Sequence, residues 1–282
     1  MLCRVLNALF STPPLSRLAP APRIDDRTDM GAFLRQILAE GTTFLDKFAP
    51  WHEVKGRTVL DVGCGLGART AAVAIAGAAE VVGIDTDTEK IRWAQTLASM
   101  EGIDNVLFVV QSVSRAAFRE NRFDLILLTD VIEHLTDPGA ALSECARVLR
   151  PGGKILVAFP PYLSPWGAHL FGHIRIPWAH LLFPDHEVLE TWRALHLGRA
   201  ERGAVYCSEG RTRCIMGAKT VAELWDLNRM TIGGFLRLVQ ETELKTCMLR
   251  LKAPVGLGGF LRIPSAGLRE HVVTRLVAVL ER

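Results

Sequence analysis

Three glycines at alternating positions, Gly63, Gly65 and Gly67, follow an acid, Asp61, inside the run T-V-L-D-V-G-C-G-L-G from Thr58 to Gly67. Without a Cβ such residues allow a tight turn and let a ligand approach the backbone closely. A second acid, Asp85, lies 20 residues beyond Gly65. A third group compresses two carboxylates and an imidazole into five residues, Asp130-Val131-Ile132-Glu133-His134. Imidazole is the usual general base near neutral pH, and mixed carboxylate and imidazole ligands also suit Mg²⁺, Mn²⁺ or Zn²⁺. Of the eight histidines, five (His169, His173, His180, His186 and His196) fall between Pro160 and Asn228. These residues define a glycine-floored binding turn, acids to receive polar groups, and two candidate bases, His134 and His169.

The elements that must position them read as alternating strands and helices. Thr58 to Val62 is β-rich and apolar, and an Ala-rich helical stretch from Ala68 to Ala78 follows the glycines. Strand, glycine turn and helix form the first unit of a doubly wound α/β fold, with the ligand at the strand's carboxyl end. Glu80 to Asp85 is a second strand, and Thr86-Asp87-Thr88-Glu89 has the capping-box pattern for a helix to about Met100. Asn105 to Val110 is a third strand, ending at Gln111-Ser112. Phe123 to Asp130 is a continuous apolar run of the kind a doubly buried strand shows. Asp137-Pro138 caps a helix to Leu149, Arg150-Pro151-Gly152-Gly153 stops it, and Lys154 to Phe159 is a fifth strand. Met230 to Thr242 reads as a helix, then Cys247 to Ala253 and Val273 to Leu280 as strands.

The glycine turn admits two cofactors. Gly63, Gly65 and Ala68 satisfy G-x-G-x-x-G/A with Asp85 at the distance expected of a dinucleotide site. The run V-L-D-V-G-C-G-L-G also resembles motif I of class I S-adenosylmethionine-dependent methyltransferases. Two further stretches, F-D-L-I-L-L-T-D-V-I-E-H-L-T-D-P and L-R-P-G-G-K-I-L-V, resemble the type 11 group of that family in the same order, over residues 55 to 160. The resemblance implies a seven-stranded, mostly parallel sheet with an antiparallel closing hairpin, and S-adenosyl-L-methionine as cofactor. It places Asp61 by the cofactor's amino end and Gly63, Gly65 and Gly67 under its methionine part. Asp85 would take the ribose hydroxyls, since a carboxylate can accept from two at once, with Thr86 beside it. Ser112 and Val113 fall on the adenine side, where the family commonly carries Asp instead of Ser112. Asp130 closes the cofactor set near the methyl group. Asp130, Glu133 and His134 also resemble an acid-x-x-Glu-His metal element of small-RNA 2′-O-methyltransferases and some quinone-pathway O-methyltransferases. The same E-H-L turn occurs in type 11 sequences without metal, and no metal is expected here.

The domain reading is an amino-terminal arm over 1–28, a cofactor-binding core over 29–160, an inserted helical lid over 161–228 and a closing helix and hairpin over 229–282. The arm carries Arg4, Arg17 and Arg23 with no acid before Asp25 and is expected to be flexible, either disordered or loosely docked. Helices are expected between Asp29 and Phe48. The insertion is rich in Tyr, Trp, Phe and His and is free of acid through Pro184, so it reads as an acceptor pocket more than a second core. Long insertions in compact domains are commonly lids or binding loops.

Composition narrows the rest. At 282 residues and 49% hydrophobic, the chain can bury a sizeable core. A net charge of +3 does not call for nucleic acid, and Arg199, Arg202, Arg211 and Arg213 are diluted by Glu201 and Glu209. Six cysteines without a C-x-x-C pair imply a reducing, cytoplasmic setting. No apolar run reaches the roughly 18 residues of a membrane helix. The expected function is O-methylation of a small-molecule or sugar hydroxyl with His134 or His169 as base. The alternatives are an NAD(P)-dependent oxidoreductase and a non-catalytic cofactor-binding protein.

Overall fold

The computed structural model describes residues 2–9, 35–36, 38–39, 54–200, 216–253 and 265–282. Within them seven strands form one sheet in the order β3-β2-β1-β4-β5-β7-β6. These are β1 (Thr58–Val62), β2 (Glu80–Asp85), β3 (Val106–Val110), β4 (Phe123–Thr129), β5 (Leu149–Phe159), β6 (Lys245–Lys252) and β7 (Arg275–Glu281). The first five pair in parallel, and β7 runs antiparallel to β5. The seven-stranded, doubly wound α/β sheet read from the sequence is present. Its last two strands are joined through helix Ala266–Val272, so the closing pair is not a tight hairpin.

The apolar runs explain the layering. From Leu125 to Thr129 every residue of β4 is buried, as in a strand covered on both faces. Val59, Val81, Leu125 and Leu127 pack with Ala72 and Val73 of helix Ala68–Ile75. Phe108 of β3 packs with Ile91 and Ala94 of helix Thr88–Met100 and with Cys64 of the glycine turn. Strand order reverses direction between β1 and β4, and a doubly wound sheet opens its binding crevice outside the carboxyl ends at such a switch point. Asp61, Asp85, Asp130 and Glu133 lie at or just beyond those ends.

Local readings shift in three places. Asp87, not Thr86, caps helix Thr88–Met100, its carboxylate accepting from the amides of Glu89 (2.9 Å) and Lys90 (3.2 Å). β5 begins at Leu149, five residues early, because Leu149 already pairs with Phe123 before a bulge brings Lys154 against Leu125. Arg150 ties that bulge to Asp124 at 2.6 Å. Helix Ala68–Ile75 is three residues shorter than expected, since Gly77 takes a left-handed conformation.

The described residues fall into two compact units. One draws on Met30–Phe159, Gly233–Arg250 and Leu276–Arg282 and carries the sheet apart from the ends of β6 and β7. The other draws on Met1–Asp29, Pro160–Ile232 and Leu251–Arg275. Of the helices expected between Asp29 and Phe48, Arg35, Gln36, Leu38 and Ala39 are helical and the remainder lies outside the described residues.

The second unit has a core of its own. Trp192 is fully buried among Leu170, Ile174, Val188 and Leu224. It stacks on His196 at 4.5 Å, and the His196 Nδ1 lies 3.3 Å from the His173 Nε2. His180 Nε2 donates to the Tyr162 carbonyl at 2.7 Å, and burial holds its imidazole below the usual range. Trp192, His180 and His196 are therefore core residues, not pocket walls as their composition led us to expect. Residues 2–9 form a helix whose Cys3 is buried in this core, and the Asn7 side chain brackets the backbone of the inserted segment. Its Nδ2 donates to the His173 carbonyl (3.1 Å) and its Oδ1 accepts from the Arg175 amide (2.7 Å). Over those residues the arm takes the docked alternative, as a helix; residues 10–28 of that arm lie outside the described residues, as do Arg202, Arg211 and Arg213.

Candidate functional site

The glycine turn has left-handed backbone at Gly63 (φ 66°), Gly65 (φ 56°) and Gly67 (φ 80°), where side chains are strained. Their surroundings differ. A Cβ on Gly63 would collide with the Val131 side chain, and one on Gly67 would meet Ala94 and Phe108 at 2.7 Å. Among the described residues, a Cβ on Gly65 would meet nothing within 4 Å. The outer glycines are therefore required by packing inside the protein, and the central one faces open space. Cys64 points the other way, into the core, and burial pushes its thiol far above the usual range.

Two acids flank the turn. Asp85 ends β2 and receives the Gly65 amide on Oδ2 at 2.9 Å and the Asp87 amide on Oδ1 at 3.0 Å. It thus fixes the glycine turn to the start of the next helix, while its carboxylate keeps lone pairs for further donors. Thr86, exposed, sits between those two contacts. Asp61 is buried on β1, and the Thr70 hydroxyl donates to its Oδ2 at 2.6 Å. Burial raises the Asp61 pKa, the Arg69 charge and the Thr70 hydrogen bond lower it, and Asp85 adds a smaller upward push.

A raised carboxyl pKa has a sign for stability. Between the unfolded and folded values the native state binds more protons than the unfolded chain, so stability falls as pH rises through that window. Holding a charge on Asp61 is a cost to the folded chain. Asp61→Asn should therefore raise the melting temperature of the ligand-free protein at neutral pH, by about 2–4 °C per kcal/mol relieved. The advantage should shrink as pH falls toward the acid range. A variant that melts lower at neutral pH would contradict this reading of the site.

At the ends of β3 and β4 the remaining residues take their places. Ser112, half-buried, follows β3, and Val113 is buried at the start of a short 3-10 turn. Asp130 follows β4 in a left-handed conformation, φ 57°. Its Oδ2 accepts from Arg69 Nη1 at 3.2 Å, and Arg69 Nη2 donates to the Thr129 carbonyl at 3.0 Å. The turn continues as a 3-10 segment, Ile132–His134, with Glu133 buried and His134 half-buried. His169 belongs to the second unit, where it also has positive φ, 55°, and its amide donates to the Trp166 carbonyl at 3.0 Å. The sheet thus gathers Asp61, the three glycines, Asp85, Thr86, Ser112, Val113, Asp130 and His134 along its carboxyl ends. Two partners were missed from the sequence, Thr70 and Arg69. A signal for the second existed: Arg69 is the single charge of A-R-T-A-A-V-A-I, in the first turn, where the helix dipole disfavours a cation.

The chain resembles known proteins. Residues 60–157 match the family model described as a methyltransferase domain. A ubiquinone biosynthesis O-methyltransferase of Caulobacter vibrioides is 38% identical over 104 residues, 37% of this chain and 41% of that protein. One of Xanthomonas oryzae pv. oryzae is 37% identical over 115 residues, 40% of this chain and 47% of that protein. The chain spans less than half the length of these two relatives. The protein of the same name from Chromobacterium violaceum is 27% identical over 202 residues, covering 71% of this chain and 84% of that one. Among solved structures, an S-adenosylmethionine dependent methyltransferase from Mesorhizobium loti superposes with a TM-score of 0.54 at 16% identity, covering 87% of this chain and 100% of that one. Geranyl diphosphate C-methyltransferase from Streptomyces coelicolor, in complex with S-adenosyl-L-homocysteine, gives 0.54 at 15% identity, covering 95% and 88%. At these identities the structural likeness establishes the fold.

Proposed function

We propose, from the match of residues 60–157 to a methyltransferase domain, that the protein is a class I S-adenosylmethionine methyltransferase that transfers a methyl group to a hydroxyl of a small molecule. The observation that carries this reading is the open space, among the described residues, over Gly65 beside Asp85, at the switch point of the sheet. The residues fit the cofactor: a Cβ-free, left-handed backbone for its methionine part and a carboxylate on β2 for vicinal hydroxyls. Thr86, Ser112 and Val113 would line the nucleoside, and Asp130 the sulfonium side. When bound, the cofactor supplies an already activated methyl group. The chain's own task is then to align the acceptor, exclude water and remove the hydroxyl proton. His134, on the turn after β4, is the residue we assign to that proton, with His169 as the second candidate.

Acceptor choice is assigned to the inserted residues 161–228, supported by their length and by their lying outside the family match at residues 60–157. A small-molecule acceptor agrees with the names of the curated relatives. Among the described residues no helix is long and apolar enough to cross a membrane. Cys3, Cys64, Cys145 and Cys247 are free thiols, in keeping with the reducing, cytoplasmic setting we propose.

Calorimetry with S-adenosylhomocysteine, NAD and NADP tests the cofactor. The first should bind and the other two should not; tight NAD binding would turn the reading over to an oxidoreductase. Asp85→Ala should weaken S-adenosylhomocysteine by about 1.5–3 kcal/mol, the range for hydrogen bonds to a charged group. Acceptors are then found by screening phenols, quinone precursors and sugars with labelled S-adenosylmethionine. Cofactor binding without transfer to any hydroxyl would favour the non-catalytic reading.

A further inference from the structure

Arg69 breaks a local rule. A cation in the first turn of a helix meets the positive end of its dipole, and the rest of Ala68–Ile75 is uncharged. Its side chain is only 25% exposed. Local rules are broken most often where a functional constraint overrides them. The contacts show the constraint. The guanidinium fork reaches across from the helix behind the glycine turn to the end of β4. One nitrogen holds the Asp130 carboxylate and the other holds the Thr129 carbonyl. Asp130 is a non-glycine residue in the left-handed region, a conformation that persists only where the surroundings enforce it. One residue further on, Val131 lies against Gly63 so closely that a Cβ there would collide with it. Glycine turn and fourth-strand turn are thus joined twice, by an ion pair on one side and by packing on the other.

We propose that Arg69 is a positioning residue that clamps the Asp130–His134 turn to the glycine turn, setting where Glu133 and His134 stand relative to the cofactor floor. The clamp itself is a property of the sheet unit, and its consequence for methyl transfer rests on the reading above. A guanidinium is suited to the task because its planar fork makes two contacts in fixed geometry, whereas an ammonium is a point donor. Asp130 supplies the partner and, as a short polar residue, tolerates positive φ better than most.

Hydrogen–deuterium exchange and calorimetry with S-adenosylhomocysteine test the clamp. In Arg69→Met the amides of residues 131–135 should exchange about tenfold faster, with those of β1 and helix Pro138–Val148 unchanged, because opening is local. S-adenosylhomocysteine should bind about 3- to 10-fold more weakly, and Arg69→Lys should recover part of this; in the double variant Arg69→Met, Asp130→Asn the exchange of residues 131–135 should lie within about twofold of that in Arg69→Met. Unchanged exchange at residues 131–135, or a double variant whose effects simply multiply, would overturn the proposal. Faster exchange spread evenly over the whole sheet unit would also overturn it, showing a merely structural arginine. If the unaltered protein fails to bind S-adenosylhomocysteine, the methyltransferase reading falls, and the exchange measurements still judge the clamp.

Discussion

Gly65→Leu should abolish detectable S-adenosylhomocysteine binding, weakening it by at least about 100-fold or roughly 2.7 kcal/mol, while the domain stays folded. Among the described residues, no atom beyond its own chain neighbours lies within 4 Å of the position its Cβ would take. The added side chain therefore projects into the space assigned to the ligand and displaces nothing of the fold. The left-handed backbone at φ 56° does exact a stability penalty, of order 1–3 kcal/mol for a side chain in that region. Gly63→Ala is the contrasting control. There the Cβ strikes Val131, so the first loss should be in thermal stability, with binding following from displacement of the turn. Calorimetry and thermal melts on the two variants separate a ligand-facing glycine from a packing glycine. If Gly65→Leu bound S-adenosylhomocysteine as tightly as the unaltered protein, the cofactor would not lie over this turn.

That contrast shows where sequence alone reaches its end. The pattern G-x-G-x-G marks the turn, but all three glycines look equivalent until the packing of Val131, Ala94 and Phe108 distinguishes them. β1 and β2 coincide with their sequence readings to the residue, Thr58–Val62 and Glu80–Asp85. Their apolar runs end in glycine or acid, and buried parallel strands leave little choice of register. The helix cap moved by one residue because Thr86 and Asp87 are both good caps and only the backbone decides between them. β5 was read too short because proline and glycines at 151–153 look like a stop signal, whereas a bulge accommodates them within the strand. In the second unit composition misled more seriously. Trp and His are amphipathic, so the same side chains can line a pocket or fill a core. Trp192, His180 and His196 fill one: Trp192 stacks on His196 one turn along the same helix, and His196 and His180 are held by His173 and the Tyr162 carbonyl, 23 and 18 residues earlier. The same holds for Asn7, whose amide serves a segment more than 160 residues later. Asp61 and Asp85 were legible as acids at strand ends, and their partners Thr70 and the Gly65 amide were not.

His134→Asn should lower the turnover of hydroxyl methylation by ~10²–10⁴-fold with cofactor affinity little changed, the range for loss of a general base. The turn that carries His134 follows β4 at the switch point, and the residue is half-buried, reachable by an acceptor yet shielded from bulk water. Only the neutral imidazole can take a proton, so the rate in the unaltered protein should rise with pH through the titration of this group and then level off. In the variant that dependence should vanish along with the rate. The same pair of measurements on His169→Asn decides whether the second candidate shares the role; we expect the larger loss at His134. Glu133 gives the control against a metal. A metal held by Asp130, Glu133 and His134 would make Glu133→Gln as damaging as His134→Asn, and a chelator would stop the reaction until Mg²⁺, Mn²⁺ or Zn²⁺ was restored. With His134 acting as a base, chelators should leave the rate unchanged. Glu133, buried beneath the turn, should then cost mainly stability when altered. A His134→Asn enzyme within threefold of the original rate, with a flat pH profile in both, would mean that the acceptor arrives already acidic. Alignment behind the methyl carbon would then suffice for transfer, as effective molarities for well-oriented groups allow.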